Sequence, residues 1–193
     1  GFVPFAMMAS QKDEFGYEME IITHPGSGIA KVEDVKGKKF AFSAETSNSG
    51  YKAPAALMRD QYGLEAGRDY VPVFSGKHDN SVLGVANKDY PAASIANAVM
   101  KRMIQRGVVK ADHLVSIYKS ESFPTTAYGA AHNLKPELAA KVRDAFFGFD
   151  WVGSALLAEY KNSEPPQEKF IPISYAKTWE IVRRIDKAMG VSY

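Results

Sequence analysis

The residues best suited to chemistry in this chain are a run of hydroxyls and one amide, Thr46-Ser47-Asn48-Ser49, followed by Gly50 and Tyr51. Upstream, Lys39 to Ser43 (KFAFS) reads as a strand. Downstream, Tyr51 to Tyr62 carries apolar residues at helical spacing, among them Ala53, Ala56 and Leu57, and Gly63 supplies the stop. Proline is tolerated only in a helix's first turn, so Pro54 places the helix start near Gly50. The amides of that first turn have no carbonyl one turn back, and they sit at the positive end of the helix dipole beside several hydroxyls. This is a setting that holds an oxyanion. A plain capped helix fits the same residues, although a cap needs one hydroxyl or amide and four stand here in succession. Both readings stay open on these residues alone.

A second candidate is Phe74-Ser75-Gly76-Lys77-His78-Asp79-Asn80. It follows a strand, Tyr70 to Phe74, and opens a helix, Asn80 to Asn87, so His78 belongs at a strand's carboxyl end. In open α/β sheets ligands bind at that edge, and an imidazole is a hydrogen-bond donor to an anion. Taken alone, this segment favours the plainer reading, Asp79 or Asn80 as a helix cap with His78 a solvated loop residue. Gly76-Lys77 is not a phosphate-binding P-loop, because His78 follows the lysine and Val71 stands where the first glycine belongs. His24, His113 and His132 are scattered without metal-ligand spacing, so no metal site is expected. No nucleophile–base pair or paired carboxylates appear, and no catalytic residue is assigned.

These segments must be positioned by the rest of a 193-residue chain that is 46% hydrophobic. That size suits one large domain or two small ones. A net charge of +2 argues against a nucleic-acid partner, and the basic stretch Lys101, Arg102, Arg106 and Lys110 reads as a solvated helix face. Cysteine is absent, which excludes disulfides and thiolate metal sites. No apolar run approaches the roughly 20 residues that span a bilayer. Further strands are expected at Met19–Thr23, Ala92–Ile95, Leu114–Tyr118 and Thr125–Ala131, with further helices at Ala96–Arg106, Pro136–Phe147, Trp151–Lys161 and Tyr175–Met189. The alternation of strands and helices makes the fold class α/β with mostly parallel pairing.

Taken together and in order, these segments are distinctive. Ile21 to Lys39 (IITHPGSGIAKVEDVKGKK), Phe40 to Pro54 (FAFSAETSNSGYKAP), Phe74 to Asn87 (FSGKHDNSVLGVAN) and Phe170 to Ile185 (FIPISYAKTWEIVRRI) carry a resemblance that runs over nearly the whole chain. The chain resembles the phosphate/phosphite/phosphonate-binding family of ABC-transporter substrate-binding proteins. The resemblance implies a type II periplasmic-binding-protein fold, two α/β lobes with a hinge and a central ligand cleft. Crossovers are then expected near Thr23 to Gly28 and Ser120 to Pro124, with residues 1–26 and 121–193 in a first lobe and 27–120 in a second. Relatives carry a further domain-half upstream, so Gly1 to Ala9 resembles an internal segment and the chain is read as N-terminally truncated. The lobe from Gly28 to Ser120 should fold alone, whereas the other should leave sheet edges unpaired and associate.

The resemblance further implies that Ser47, Asn48, Ser49 and Gly50, with Thr46 and Tyr51 flanking, hold the anion together with His78. Relatives that bind aminoalkyl phosphonates place carboxylates near the positions of Ala98 and Thr126, whereas this chain has Ala98 with Asn97 beside it, and Thr126. No acidic residue lies between Pro91 and Lys110. A buried ammonium would go unpaired there, so the expected ligand is an oxyanion without an amine: phosphite, methylphosphonate or a similar species. Phosphate is disfavoured because its remaining hydroxyl proton needs an acceptor. The implied protein is not an enzyme, uses no cofactor, works in the periplasm with an ABC permease and is a monomer at full length. The alternatives are the effector-binding module of a transcription regulator and a phosphoryl- or acyl-processing enzyme using His78 as base.

Overall fold

A computed structural model of the chain describes residues 1–190. They divide into two compact units, Gly1–Tyr17 with Phe123–Arg183, and Glu18–Ser122 with the residues from Arg184 onward. The sequence places the divisions at 26/27 and 120/121 instead. The first moves because Tyr17–Thr23 (β2) pairs from Met19 onward with a strand of the second unit, Met19 with Ala96 and Thr23 with Ala92. The chain also divides a third time, at Arg183/Arg184, inside the C-terminal helix.

The first unit is built on a three-stranded antiparallel sheet in which Phe2–Ala9 (β1) is central. Ala127–Ala131 (β7) and Lys169–Pro172 (β8) flank it. Pro4 has no N–H to give to a ladder, and the register with β7 shifts between Pro4 and Ala6. Pro136–Phe147 (α4) and Ala155–Tyr160 (α5) supply the helices. Phe146 packs its ring at 5.4 Å from Phe5 and 4.9 Å from Phe170, which in turn lies 5.0 Å from Trp151. These half-buried rings pack over the buried residues of β1, Phe5 to Ala9. The sequence reading contains neither β1 nor β8. It extends the helix at Trp151–Lys161 beyond the α5 that forms and runs one helix from Tyr175 to Met189, where two form, Tyr175–Thr178 (α6) and Glu180–Ala188 (α7).

The second unit is organised by a five-stranded sheet. Its order runs from Val71–Phe74 (β4) through Lys39–Phe42 (β3), Ala92–Ala96 (β5) and β2 to Val115–Phe123 (β6). β3, β4 and β5 are parallel, and β2 runs against β5. Every residue of β5 (AASIA) is buried, as expected for a strand covered on both faces. Alternation along β3 sorts the two faces. Ala41 faces a core with Ile22, Ile95, Val82, Val85 and Met103, drawn partly from His78–Ala86 (α2) and Asn97–Gln105 (α3). Phe40 and Phe42 point the other way, where Tyr70, Tyr51 and Phe74 pack around them at 5.1–6.2 Å; Ala53–Tyr62 (α1) buries Leu57 and Met58. The α2 start differs from the sequence reading. His78 is the first residue of the helix and not a loop residue before it.

Candidate oxyanion site

Because β3, β4 and β5 are parallel, their carboxyl ends lie at one edge of the sheet. Ser43 follows β3, Ser75 to Lys77 follow β4, and Ala96 closes β5. The turns after β3 and β4 are tied together directly: Gly76 N–H donates to the Ser43 carbonyl at 2.7 Å, and Ser75 N–H to that of Phe42 at 2.8 Å. This is the edge at which open α/β sheets bind ligands.

The hydroxyl run begins here. Ser47 is extended (φ −76°, ψ 128°) and caps the helix that follows, its Oγ accepting from Gly50 N–H at 3.0 Å. Asn48–Lys52 form a single wide π turn, with Tyr51 and Lys52 N–H reaching back to the Ser47 carbonyl and Ala53 N–H to that of Asn48. The α1 helix continues from it without a break. The carbonyl of Gly50 explains the departure from α geometry. In an α-helix it would receive the N–H of the fourth residue on, which is Pro54 and has none. The carbonyl accepts from Ser43 N–H and from the hydroxyl of Ser94, both at 3.0 Å. Such π turns recur at functional sites.

His78 completes the group. Ala96 N–H donates to its Nδ1 at 3.1 Å, so that nitrogen carries no proton and the neutral ring is protonated on Nε2. Nε2 lies 3.3 Å from Ser47 Oγ and is therefore the donor of that bond. Burial pushes the His78 pKa below its ordinary value against the opposing pull of Asp79, which keeps the ring neutral at pH 7. The outcome for Ser47 is specific. Its oxygen accepts two N–H groups, from Gly50 and His78, so its own proton is left to be given outward. Ser47 is thus the helix cap, and its own proton is not used in capping.

The remaining sequence candidates take different places. Ser49 is buried, Asn48 half-buried and Thr46 exposed. Tyr51 turns its ring into the aromatic cluster, edge-on to Phe42 at 5.1 Å, so it serves the fold under the loop. Asn97 is buried and engaged at both ends of its carboxamide: Oδ1 accepts from Glu18 N–H and Nδ2 donates to Glu18 Oε2, each at 3.0 Å. Its place is to hold the start of β2 against α3. Thr126 lies in the first unit, exposed in the turn between β6 and β7. Sequence reasoning missed Ser94 and the Ala96 amide. The one available signal was a lone hydroxyl in the otherwise apolar AASIA strand. Among the described residues no group of three or more His, Asp or Glu is placed to hold a metal ion, and no helix is long and apolar enough to cross a membrane.

Neutral burial of His78 gives a pH prediction. Its folded pKa lies below the unfolded value of about 6.5. The unfolded chain therefore binds the proton first as pH falls. Stability conferred by the neutral ring is full above that unfolded value and is lost as pH drops through it toward the folded pKa. Melting curves between neutral and mildly acidic pH should show this loss in the wild type, with a shallower dependence in His78→Gln.

With this geometry in hand, comparison with known proteins is decisive. A family model described as ABC transporter, phosphonate, periplasmic substrate-binding protein matches residues 1–177. The chain belongs to this family. It is 30% identical over 125 residues to the phosphate-import protein PhnD of Mycolicibacterium smegmatis, a match covering 61% of this chain and 39% of that one. This phosphonate-binding family member also superposes on a binding protein component of an ABC phosphonate transporter from Pseudomonas aeruginosa, with a TM-score of 0.78 at 24% identity over 95% of this chain and 61% of the other. PhnD1 of Prochlorococcus marinus, solved in complex with methylphosphonate, gives a TM-score of 0.77 at 14% identity, covering 97% and 72%. These structures share the two-lobed periplasmic-binding fold.

Proposed function

We propose that this chain carries the oxyanion site of an ABC importer's periplasmic substrate-binding protein, and that the ligand is a small phosphorus oxyanion such as phosphite or methylphosphonate. The observation that carries this reading is Ser47. With both lone pairs filled by Gly50 and His78, the hydroxyl faces a ligand only as a donor. The Asn48 amide, at the start of the helix, adds a second donor and the positive end of the dipole. Neutral donors of this kind hold an anion without a buried countercharge, in keeping with a chain of net charge +2.

The same hydrogen bonds favour binding over turnover. Nδ1 of His78 is occupied by the Ala96 amide and Nε2 carries the proton, so the ring offers a ligand no lone pair for general-base work. Closure on the ligand and delivery to a permease follow from the family's role. Thr46, Ser47, Asn48, Ser49 and His78 remain the proposed ligand set in this unit, with Gly50 acting through the Ser47 hydroxyl.

A donor-only site also orders the ligands. In mildly alkaline buffer phosphite and methylphosphonate carry no P–OH proton, whereas phosphate keeps one and needs an acceptor for it. Calorimetric titration should give the order phosphite or methylphosphonate above phosphate, with aminoethylphosphonate weakest. Phosphate binding tighter than both would reverse the proposed preference, and the M. smegmatis relative named for phosphate import makes it the informative competitor. Aminoethylphosphonate binding tightest would overturn the amine-free reading.

A further inference from the structure

We infer that Ser94 is a positioning residue for the oxyanion site, setting the Ser47 donor through the carbonyl of Gly50. The inference rests on the oxyanion reading above and adds to it a residue that touches no ligand. Ser94 is fully buried in β5, and its Oγ donates to the Gly50 carbonyl at 3.0 Å. That carbonyl has no helical partner, because Pro54 stands where its donor would be. Two groups replace it, Ser43 N–H and the Ser94 hydroxyl. The Gly50 peptide is therefore held from the sheet side.

The consequence passes along one residue. Gly50 N–H is the group that fills a lone pair of Ser47 Oγ at 3.0 Å, so the tilt of Gly50 decides whether Ser47 turns its proton outward or back into the loop. The same strand supplies Ala96 N–H to His78 Nδ1, which fixes the other donor to Ser47. β5 thus orients both partners of the one hydroxyl, by a side chain at Ser94 and by the main chain at Ala96. Only the first is open to substitution. Without it, the Gly50 carbonyl keeps a single donor, the Ser43 N–H, and is free to tilt away from the sheet.

The test uses the full chain with Ser94→Ala, and Thr23→Val as control. Thr23 is equally buried on the neighbouring strand, and its hydroxyl bonds the Pro91 carbonyl at 2.6 Å, not the Gly50 turn. Phosphite and methylphosphonate affinities are measured by calorimetry, alongside the ¹⁵N shift and hydrogen exchange of the Gly50 amide in ligand-free protein. Ser94→Ala is expected to weaken both anions by about tenfold, the scale of one buried hydrogen bond, and to shift the Gly50 amide and speed its exchange. Thr23→Val should leave the affinities and the Gly50 amide unchanged. Wild-type affinity in Ser94→Ala, or an equal loss in Thr23→Val, overturns the inference. If the wild type binds neither anion, the oxyanion reading fails. The Gly50 shift and exchange still report whether Ser94 sets the turn, and an unmoved Gly50 amide overturns that part separately.

Discussion

Replacing Gly50 by alanine is expected to abolish measurable oxyanion binding while leaving the first unit folded. The cause is space and not backbone freedom. A methyl group on Gly50 would project to 1.8 Å from Ser43 Oγ, 2.7 Å from Ser43 Cβ and 2.9 Å from His78 Cε1. No side-chain torsion removes a clash with a β-carbon, so either the loop or His78 must move. Overpacking a close-packed site costs on the order of 1–3 kcal/mol. Here the displaced groups are also the donors, so we expect a loss of at least about a hundredfold in affinity for phosphite and methylphosphonate. Ser43→Gly would remove two of the three conflicts. The double variant should therefore bind more tightly than Gly50→Ala alone, a coupling that calorimetry on all four proteins would measure. Wild-type affinity in Gly50→Ala would refute the site geometry.

The second large effect concerns Lys52, the last residue of the π turn. Its ammonium lies 2.8 Å from Asp186 on α7; the carboxylate's side chain is 1% exposed and the lysine's 19%. Substituting Asp186 by alanine strands a largely buried cation, which costs about 3–5 kcal/mol in comparable pairs. Urea denaturation of Asp186→Ala should show a fall of that order, large against the stability of an ordinary domain. Removing both charges, with Lys52→Met and Asp186→Leu, should restore most of it, because no unpaired charge remains. A loss below about 1 kcal/mol in the single variant would mean that water reaches the pair. The pair also bears on ligand charge. Asp186 balances the charge of Lys52, the lysine nearest the hydroxyl run in sequence.

Much of this arrangement is legible in the sequence. Strand, hydroxyl run, helix and an early proline placed Ser47 to Gly50 at a strand's carboxyl end, because each of those signals is local. His78 was legible for the same reason, although its position as the first residue of α2 was not. What stayed hidden depends on contacts between distant segments. Ser94 lies 44 positions from Gly50, and the Ala96 amide 18 from His78. A main-chain donor leaves no mark in a sequence at all. Asn97 has a side chain that suits a ligand, yet the fold turns its carboxamide to Glu18. β1 and β8 were missed because FVPFAMMA and KFIP lack the polar alternation of a half-exposed strand, and a proline interrupts the first.

The division into units has a consequence for measurement. The chain's two tryptophans, Trp151 and Trp179, both belong to the first unit, whereas the hydroxyl run, His78 and Ser94 belong to the second. Tryptophan emission therefore originates outside the unit that carries the donors. A silent titration would not count against binding to those donors. Phe74 is exposed and its ring lies 5.3 Å from that of Tyr51, one residue beyond Gly50. An indole at that position would put the optical signal beside the loop it is meant to read.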